Sequence, residues 1–222
     1  YSARMSSHAP ETAPFAARAM VLAAGRGERM RPLTDHCPKP LLPVQGKPLM
    51  QWHLEALARA GWDRAVVNTA WLGEQVEAAF GPGLPGGLRL AYSHEGRDFG
   101  GALETAGGIA RAVPQLAEVF WVVAGDVFMP GFDFPRAAYD RFAASEALAH
   151  LWLVPNPPHN PRGDFGLAPD GRALNQAPEG APRWTFSTVG LYKRALFAGL
   201  PAGNPEGVKA PLAPLLRTAI DN

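Results

Sequence analysis

The segment from residue 19 to residue 43, AMVLAAGRGERMRPLTDHCPKPLLP, constrains the fold more than any other part of the chain. Its apolar start, Ala19 to Ala24, predicts a buried strand. Gly25 and Gly27 follow directly and allow the backbone to turn sharply, so that main-chain N–H groups can point at an anion. Four prolines between residues 32 and 43 prevent a regular helix from following. The segment therefore predicts a strand that leads into an anion-binding loop.

Three cations follow the glycine turn on this proline-rich segment: Arg29, Arg31 and Lys39. A cradle of main-chain N–H groups with several fixed cations suits a triphosphate, whose charge has to be neutralised before it reacts. A dinucleotide-binding loop is the main alternative, but Met30 occupies its third glycine position. The Gly-Lys-Ser/Thr end of a P-loop does not follow either. A simple glycine turn with solvated arginines is the remaining alternative, and the proline-bounded Lys39 argues against it.

The pattern L-A-A-G-x-G-x-R-M-x-P-L-T, followed by P-K-P-L-L-P-V, resembles the signature of the sugar-1-phosphate nucleotidylyltransferases, or NDP-sugar pyrophosphorylases. The resemblance implies that the glycine loop binds a nucleoside triphosphate through Leu22, Ala23, Ala24, Gly25 and Gly27. It also implies that Arg29 contacts the phosphates and that Lys39 neutralises charge at the reacting centre. Arg29 and Lys39 are therefore the expected catalytic residues.

Strand-like and helix-like segments alternate along the first 125 residues, with helices expected at 48–60, 72–80 and 105–113 and a further helix at 211–220. This alternation predicts an α/β fold with a Rossmann-like, three-layer, mostly parallel sheet. Apolar runs at 148–154 and 185–192 flank a proline-rich stretch and predict a smaller antiparallel lobe that binds the sugar. Ligands of such sheets lie beyond the carboxyl ends of the strands, where the glycine loop is expected.

The chain is 222 residues long, which one α/β domain can account for. We expect residues 1–17 to be an N-terminal extension, partly disordered or left from a tag, and residues 18–222 to form a single nucleotidyltransferase domain. Members of the resembled family usually continue with a strand that carries W-x-D-x-G, whose Asp is a second metal ligand. This C-terminal segment is expected to be missing here. If the second metal ligand is lost, the alternative to an active enzyme is a non-catalytic regulatory subunit that binds nucleotide.

Asp126 closes the apolar run VFWVVAGDVF, so its carboxylate is predicted to leave the carboxyl end of a buried strand. A carboxylate at such a position suits Mg²⁺, a hard cation that prefers oxygen ligands and bridges phosphates. A capping or turn aspartate is the alternative from position alone. The family carries a metal-binding Asp in this Gly-Asp context. The resemblance therefore implies that Asp126 is the metal ligand and that Mg²⁺ is the cofactor.

Further polar residues and one glycine are candidates for substrate contacts. Asn68 lies at the end of the second predicted strand and Gln75 follows it, where the family contacts the base and ribose. Gly107 would let the backbone approach the nucleotide closely. A solvent-facing side chain is the alternative for Gln75. The resemblance implies that the sugar-phosphate contacts come from five other residues: Glu104, Thr105, Asn156, Arg162 and Ser187.

The composition argues against several other classes of function. The formal net charge is +1, so no broad basic surface indicates a nucleic-acid partner. No stretch of 18 apolar residues is present to cross a membrane. Cys37 is the only cysteine, so no internal disulfide can form. We expect a cytoplasmic protein without nucleic-acid or membrane partners, and the sequence leaves open whether it is a monomer or a dimer.

The expected reaction is nucleotidyl transfer, in which a sugar 1-phosphate oxygen attacks the α-phosphorus of a nucleoside triphosphate and pyrophosphate leaves. Within the resembled family, the segments LETAGGI, NPRGDFG and TFSTVGLY favour UTP and N-acetylmuramic acid 1-phosphate as substrates. This choice implies a role in cell-wall recycling. GTP and mannose 1-phosphate are the closest alternative, because pocket shape decides between sugars that differ by a single group.

Overall fold

The computed structural model describes residues 15–222, whose strands are β1 (Ala17–Ala23), β2 (Pro43–Val44), β3 (Lys47–Pro48), β4 (Arg64–Thr69), β5 (Arg89–His94), β6 (Leu116–Ala124), β7 (Ala149–Val154), β8 (Gly166–Leu167), β9 (Ala173–Leu174) and β10 (Thr185–Lys193). One mixed sheet has the order β5-β4-β1-β6-β10-β7. Its strands β5, β4, β1 and β6 are parallel, and β10 is antiparallel to both of its neighbours. The pairs β2–β3 and β8–β9 form short antiparallel ladders outside this sheet.

The helices of the described residues are α1 (Leu49–Arg59), α2 (Gly73–Phe80), α3 (Glu95–Phe99), α4 (Glu104–Ala112), α5 (Arg136–Ala143) and α6 (Leu212–Asp221). The helices predicted from the sequence correspond to α1, α2, α4 and α6, with ends that differ by a few residues. The sequence patterns did not predict α3, α5 or the 3₁₀ turns of the proline-rich segment. These turns are short, and prolines inside a segment argue against helix without indicating a single turn.

Alternate residues of β1 enter two different cores. Val21 belongs to the core that includes residues of α1, α2 and α5, whereas Met20 belongs to the core that includes residues of α4 and α6. Because successive side chains of a strand point to opposite faces, helices cover both faces of the sheet. The structure therefore has three layers, and the predicted three-layer α/β fold with a mostly parallel sheet is confirmed.

The second half of the chain extends this sheet and adds a small hairpin. Strand β10 pairs with both β6 and β7, and its register with β7 shifts between Phe186 and Gly190. Thr188, inside this irregular stretch, has a left-handed φ of +68°. The hairpin β8–β9 turns through Gly171, whose φ is +88°, as the Asp170-Gly171 pair predicts. The antiparallel part of the second half of the chain thus consists of this hairpin and the pairing of β10.

The carboxyl ends of β1, β4 and β6 meet at one edge of the sheet. Leu22 pairs with Asn68 on one side and with Ala124 on the other. The segments that follow these strands, including the glycine loop and Asp126, therefore lie close together. This edge is where ligands of parallel α/β sheets bind, so the fold places the glycine loop and Asp126 at a typical ligand-binding position.

Residues 1–14, most of the expected N-terminal extension, lie outside the described residues. Arg64 donates a hydrogen bond of 2.8 Å to the main-chain oxygen of Phe15, and β1 begins at Ala17. Within residues 15–222, no helix combines the length and the apolar character needed to span a membrane.

Candidate active site

A cleft of about 220 Å³ opens at the edge where β1, β4 and β6 end. Nine of the residues proposed from the sequence line it: Leu22, Ala23, Ala24, Gly25, Lys39, Asn68, Glu104, Thr105 and Asp126. The lining also contains Glu95, which the sequence analysis missed. The other candidates are not part of the lining: Gly27, Arg29, Gln75, Gly107, Asn156, Arg162 and Ser187.

The glycine loop is held by a network around Thr34. Gly27 has a left-handed φ of +67°, and a Cβ there would lie 2.9 Å from the Thr34 side chain, so the position favours glycine. The Thr34 hydroxyl donates to the Gly27 carbonyl at 2.9 Å. Arg26 donates to the Thr34 carbonyl at 2.8 Å and to Asp35 at 2.9 Å, and its guanidinium lies 3.7 Å from the ring centre of Trp71. The Arg26 hydrogen bond also lowers the pKa of Asp35. Arg26 therefore braces the loop.

Arg29 lies on the 3₁₀ turn Glu28–Met30 and is exposed to solvent. Within residues 15–222, its guanidinium forms no hydrogen bond or ion pair. The loop thus uses Arg26 to maintain its shape, whereas Arg29 stays available at the surface. Contact between Arg29 and a bound phosphate would require the ligand to extend beyond the lining of the cleft.

Lys39 and Asp126 form an ion pair across the cleft, with 2.7 Å between Nζ and Oδ2. Lys39 begins a 3₁₀ turn whose next residue, Pro40, is buried. Asp126 follows Gly125, whose N–H donates to the Leu22 carbonyl at 2.8 Å and so ties the end of β6 to β1. The two side chains are 25% and 38% exposed, respectively, so both charges can be reached from solvent.

His53 fixes the loop that carries Asp126, although no sequence pattern indicated this role. His53 lies on α1, is buried, and has its Nε2 at 2.7 Å from the Val127 carbonyl. Because a carbonyl only accepts hydrogen bonds, Nε2 carries the hydrogen and donates it. Burial lowers the pKa of His53, with smaller opposing effects from the Val127 hydrogen bond and the Asp126 charge. The neutral ring thus holds the residue that follows Asp126.

Asn68 and Glu95 form a buried pair at the back of the cleft. Asn68 is 3% exposed, accepts a hydrogen bond from the Ala23 N–H at 2.9 Å and donates to Glu95 at 2.7 Å. Glu95 also accepts from the Leu103 N–H at 2.7 Å. Burial raises the pKa of Glu95, and these two hydrogen bonds oppose the effect. The one sequence signal for Glu95 is its place directly after the strand β5.

The candidates from the second half of the chain lie outside the lining of the cleft, and two of them form hydrogen bonds within the protein. Asn156 donates to the Arg183 carbonyl at 3.0 Å, and the buried Ser187 hydroxyl accepts from the Val189 N–H at 3.3 Å. Both side chains therefore contribute to local structure. Arg162 is exposed on the loop between β7 and β8.

Gln75 and Gly107 also have structural contacts. Gln75 is partly buried and donates to the His36 carbonyl at 3.2 Å in a solvent-exposed hydrogen bond. The Gly107 N–H donates to the Ala210 carbonyl at 3.0 Å, and a Cβ at Gly107 would lie 2.5 Å from the Val208 carbonyl oxygen. Gly107 therefore allows the segment 208–210 to pack closely against α4.

Asp126 suits a Mg²⁺ ion that arrives with a phosphate group. Among residues 15–222 there is no group of three or more His, Cys, Asp or Glu side chains arranged to hold a metal. Mg²⁺ usually needs only one or two carboxylates, because substrate phosphates and waters complete its coordination. Asp126 bonds Lys39 through Oδ2, and its Oδ1 has no hydrogen-bond partner in the described part of the chain. One free carboxylate oxygen of Asp126 therefore suits a Mg²⁺ ion that is also bound by substrate phosphates.

The parallel sheet, the glycine loop at its edge and the Lys39–Asp126 pair are the features of an α/β enzyme that binds phosphate groups. Residues 18–176 match the family described as Nucleotidyl transferase, and the chain belongs to this family. The resemblance to sugar-1-phosphate nucleotidylyltransferases that the glycine-loop signature indicates is thereby confirmed.

Two relatives and one solved structure show the range of this similarity. The chain is 52% identical over 202 residues to N-acetylmuramate alpha-1-phosphate uridylyltransferase of Neisseria meningitidis serogroup B, covering 90% of this chain and 84% of the relative. It is 38% identical over 137 residues to mannose-1-phosphate guanylyltransferase of Mycobacterium tuberculosis, covering 61% of this chain but 36% of that relative. UDP-glucose pyrophosphorylase from Acinetobacter baumanii has the same fold, with a TM-score of 0.71, 16% identity and coverage of 93% and 83% of the two chains.

Proposed function

We propose that this chain transfers a uridylyl group from UTP to N-acetylmuramic acid 1-phosphate and releases pyrophosphate. The convergence of the glycine loop, Lys39 and Asp126 in one cleft is the observation that carries the reaction type. The choice of substrates rests on the Neisseria relative, which is more similar to this chain, over more of its length, than the guanylyltransferase of Mycobacterium tuberculosis.

In the proposed reaction, an oxygen of the sugar 1-phosphate attacks the α-phosphorus of UTP. A new P–O bond forms while the bond from the α-phosphorus to the bridging oxygen breaks, and pyrophosphate leaves with that electron pair. Both reactants are anions, so charge neutralisation and in-line alignment can supply the rate without a covalent enzyme intermediate. We assign the neutralising charge to Lys39 and to Arg29, and the main-chain anion cradle to residues 22–27.

Lys39 and Asp126 can keep their ion pair while both contact the substrate. The Lys39 ammonium group has three N–H donors and directs one of them at Asp126 Oδ2, so the others can reach a phosphate. The Oδ1 atom of Asp126 would hold Mg²⁺, which when bound withdraws negative charge from the phosphates. His53, which bonds the neighbouring carbonyl of Val127, keeps the Asp126 loop in place.

On the sugar side of the cleft, Glu104 and Thr105 are the residues best placed to contact the second substrate, because both line it. Arg162 is exposed and is kept as a candidate for the sugar phosphate. The internal hydrogen bonds support a structural role for Asn156 in its loop and for Ser187 within β10. Residues 18–222 act as one domain in this proposal, and a cytoplasmic location agrees with the use of UTP.

The proposal is tested by measuring pyrophosphate release with ATP, CTP, GTP and UTP, each combined with several sugar 1-phosphates in the presence of Mg²⁺. We expect the highest kcat/KM with UTP and N-acetylmuramic acid 1-phosphate. Activity with GTP and mannose 1-phosphate, and none with UTP, would reverse the substrate assignment. Nucleotide binding without turnover of any pair would favour the regulatory-subunit alternative.

A further inference from the structure

A chain of buried hydrogen bonds links three segments around the nucleotide part of the cleft. It runs from the Ala23 N–H to Asn68 Oδ1 at 2.9 Å, from Asn68 Nδ2 to Glu95 Oε1 at 2.7 Å, and from the Leu103 N–H to Glu95 Oε2 at 2.7 Å. Ala23 ends β1 just before the glycine loop, and Leu103 precedes the first residue of α4. These hydrogen bonds therefore join the two segments that flank the cleft through the side chains of Asn68 and Glu95 at the back of the cleft.

This series of hydrogen bonds requires one amide and one carboxylate side chain. Both of its ends are main-chain N–H groups, which only donate, so each side chain must present an acceptor outward. Between the two side chains there must be one donor and one acceptor. An amide with its oxygen outward and its nitrogen inward, facing a carboxylate, satisfies every group. Two amides would leave a donor facing a donor, and two carboxylates would repel each other.

Burial makes this requirement strict. Glu95 is 0% exposed and Asn68 is 3% exposed, so water cannot replace a lost partner. Gly108 provides the space for the pair, because a Cβ there would lie 2.4 Å from Glu95 Oε1 and 3.0 Å from Asn68 Nδ2. The second glycine of the AGG segment is therefore explained by the carboxylate that packs against it.

We propose that Glu95 is a positioning residue, which acts through Asn68 and Leu103 to hold the main chain on both sides of the nucleotide part of the cleft. Glu95 belongs to the lining of the cleft, but its side chain is buried and both carboxylate oxygens already accept hydrogen bonds from Asn68 and Leu103. This inference rests on the proposed function, because it assumes that the glycine loop binds the nucleotide. It can nevertheless be tested without turnover, because it concerns which side chains hold the N–H groups of Ala23 and Leu103.

The test uses two isosteric substitutions, alone and together, in the full chain. Glu95→Gln places a second amide in the pair, and Asn68→Asp places a second carboxylate, so each single change disrupts the series of hydrogen bonds. In Glu95→Gln/Asn68→Asp the order is exchanged, and every group again has a partner: the new amide donates to the new carboxylate, and both still accept from the main chain. We expect UTP to bind about tenfold more weakly to each single variant, because the main chain on both sides of the cleft is no longer held in its binding position; this corresponds to about 1.4 kcal/mol. The double variant should bind within about threefold of wild type.

UTP dissociation constants are measured by calorimetry at a temperature at which circular dichroism shows every variant to be folded. Glu118→Gln is the matched control, because this exposed glutamate lies near the amino end of β6, away from the cleft. Wild-type affinity in both single variants would overturn the proposal. So would a double variant that binds no better than the weaker single variant.

Hydrogen exchange separates this proposal from the proposed function. The amides of Ala23 and Leu103 should exchange faster in each single variant and recover protection in the double variant, whether or not any nucleotide binds. If the wild-type chain binds UTP without turning it over, or binds no nucleotide at all, the proposed function fails while exchange still decides the positioning role. Unchanged exchange in the single variants would refute it.

Discussion

Replacing Lys39 with methionine should separate catalysis from stability. The change keeps most of the side-chain length and removes the charge that faces Asp126 at 2.7 Å. The Lys39 and Asp126 side chains are 25% and 38% exposed, so water screens their attraction, and a pair of this kind contributes at most about 1 kcal/mol to stability. For a chain of this size such a loss lowers Tm by about 2–4 °C.

The expected effect on turnover is much larger. Loss of one preorganised group that stabilises charge in the transition state costs about 10²–10³ in kcat, which is roughly 2.7–4 kcal/mol. We therefore expect Lys39→Met to unfold near the wild-type temperature and to release pyrophosphate at less than about one hundredth of the wild-type rate. The assay is steady-state pyrophosphate release with saturating UTP, sugar 1-phosphate and Mg²⁺, together with thermal unfolding followed by circular dichroism.

Lys47→Met provides a matched control. Lys47 also pairs with a carboxylate, Glu55, and the two side chains are 26% and 30% exposed, close to the values for Lys39 and Asp126. Lys47 does not line the cleft. We expect a similar small loss of stability and a rate within about twofold of wild type. Turnover of Lys39→Met within about tenfold of wild type, or an equal loss in Lys47→Met, would refute the assignment of Lys39.

Three further predictions concern the residues around Lys39. Asp126→Asn should raise the Mg²⁺ concentration for half-maximal pyrophosphate release by at least about tenfold, since even indirect partners of a metal ligand are worth roughly 10–100-fold in metal affinity; an unchanged requirement would exclude Asp126 as the ligand. Gly27→Ala should lose about 1 kcal/mol more unfolding free energy in urea than Gly46→Ala, because both glycines have positive φ but only Gly27 has a neighbour, 2.9 Å from a Cβ; equal losses would contradict this. The Arg26 hydrogen bond lowers the pKa of Asp35 below its usual 3.8, so the carboxylate adds stability above pH 3.8 that is lost as the pH falls through the folded-state pKa. The stability difference between wild type and Asp35→Asn in urea should therefore shrink below pH 3.8, and a constant difference would argue against the coupling.

Local patterns in the sequence predicted most of the fold. The apolar run 119–124 and the helical spacing at 48–60 correspond to β6 and α1, because burial on a sheet or on one helix face leaves a direct trace in the sequence. The strands that pair with β10 could not be predicted in this way. Its apolar pattern indicates a strand, but pairing with both β6 and β7 depends on contacts between distant segments.

The candidate site shows the same limit. The signature predicted Lys39 and Asp126 as parts of one site, and the structure brings them together although they are 87 residues apart in the chain. Glu95 was missed because its partners are a main-chain N–H and a buried amide, neither of which is visible in a sequence pattern. The resemblance implied that Asn156 contacts the sugar phosphate, and in the structure its amide bonds the Arg183 carbonyl. A polar residue in a loop can satisfy a neighbouring carbonyl as readily as a substrate.

The contact between Lys39 and Asp126 also has a consequence for what the resting enzyme attracts. At the pair itself the two charges largely cancel, so a lone divalent cation meets little net charge there, and a lone anion such as inorganic phosphate is held mainly by the main-chain cradle and Arg29. A magnesium–nucleotide chelate is different, because it offers an anion to the ammonium group and a cation to the carboxylate at the same time. In the proposed function, the pair therefore favours the chelated nucleotide over the free nucleotide or the free cation.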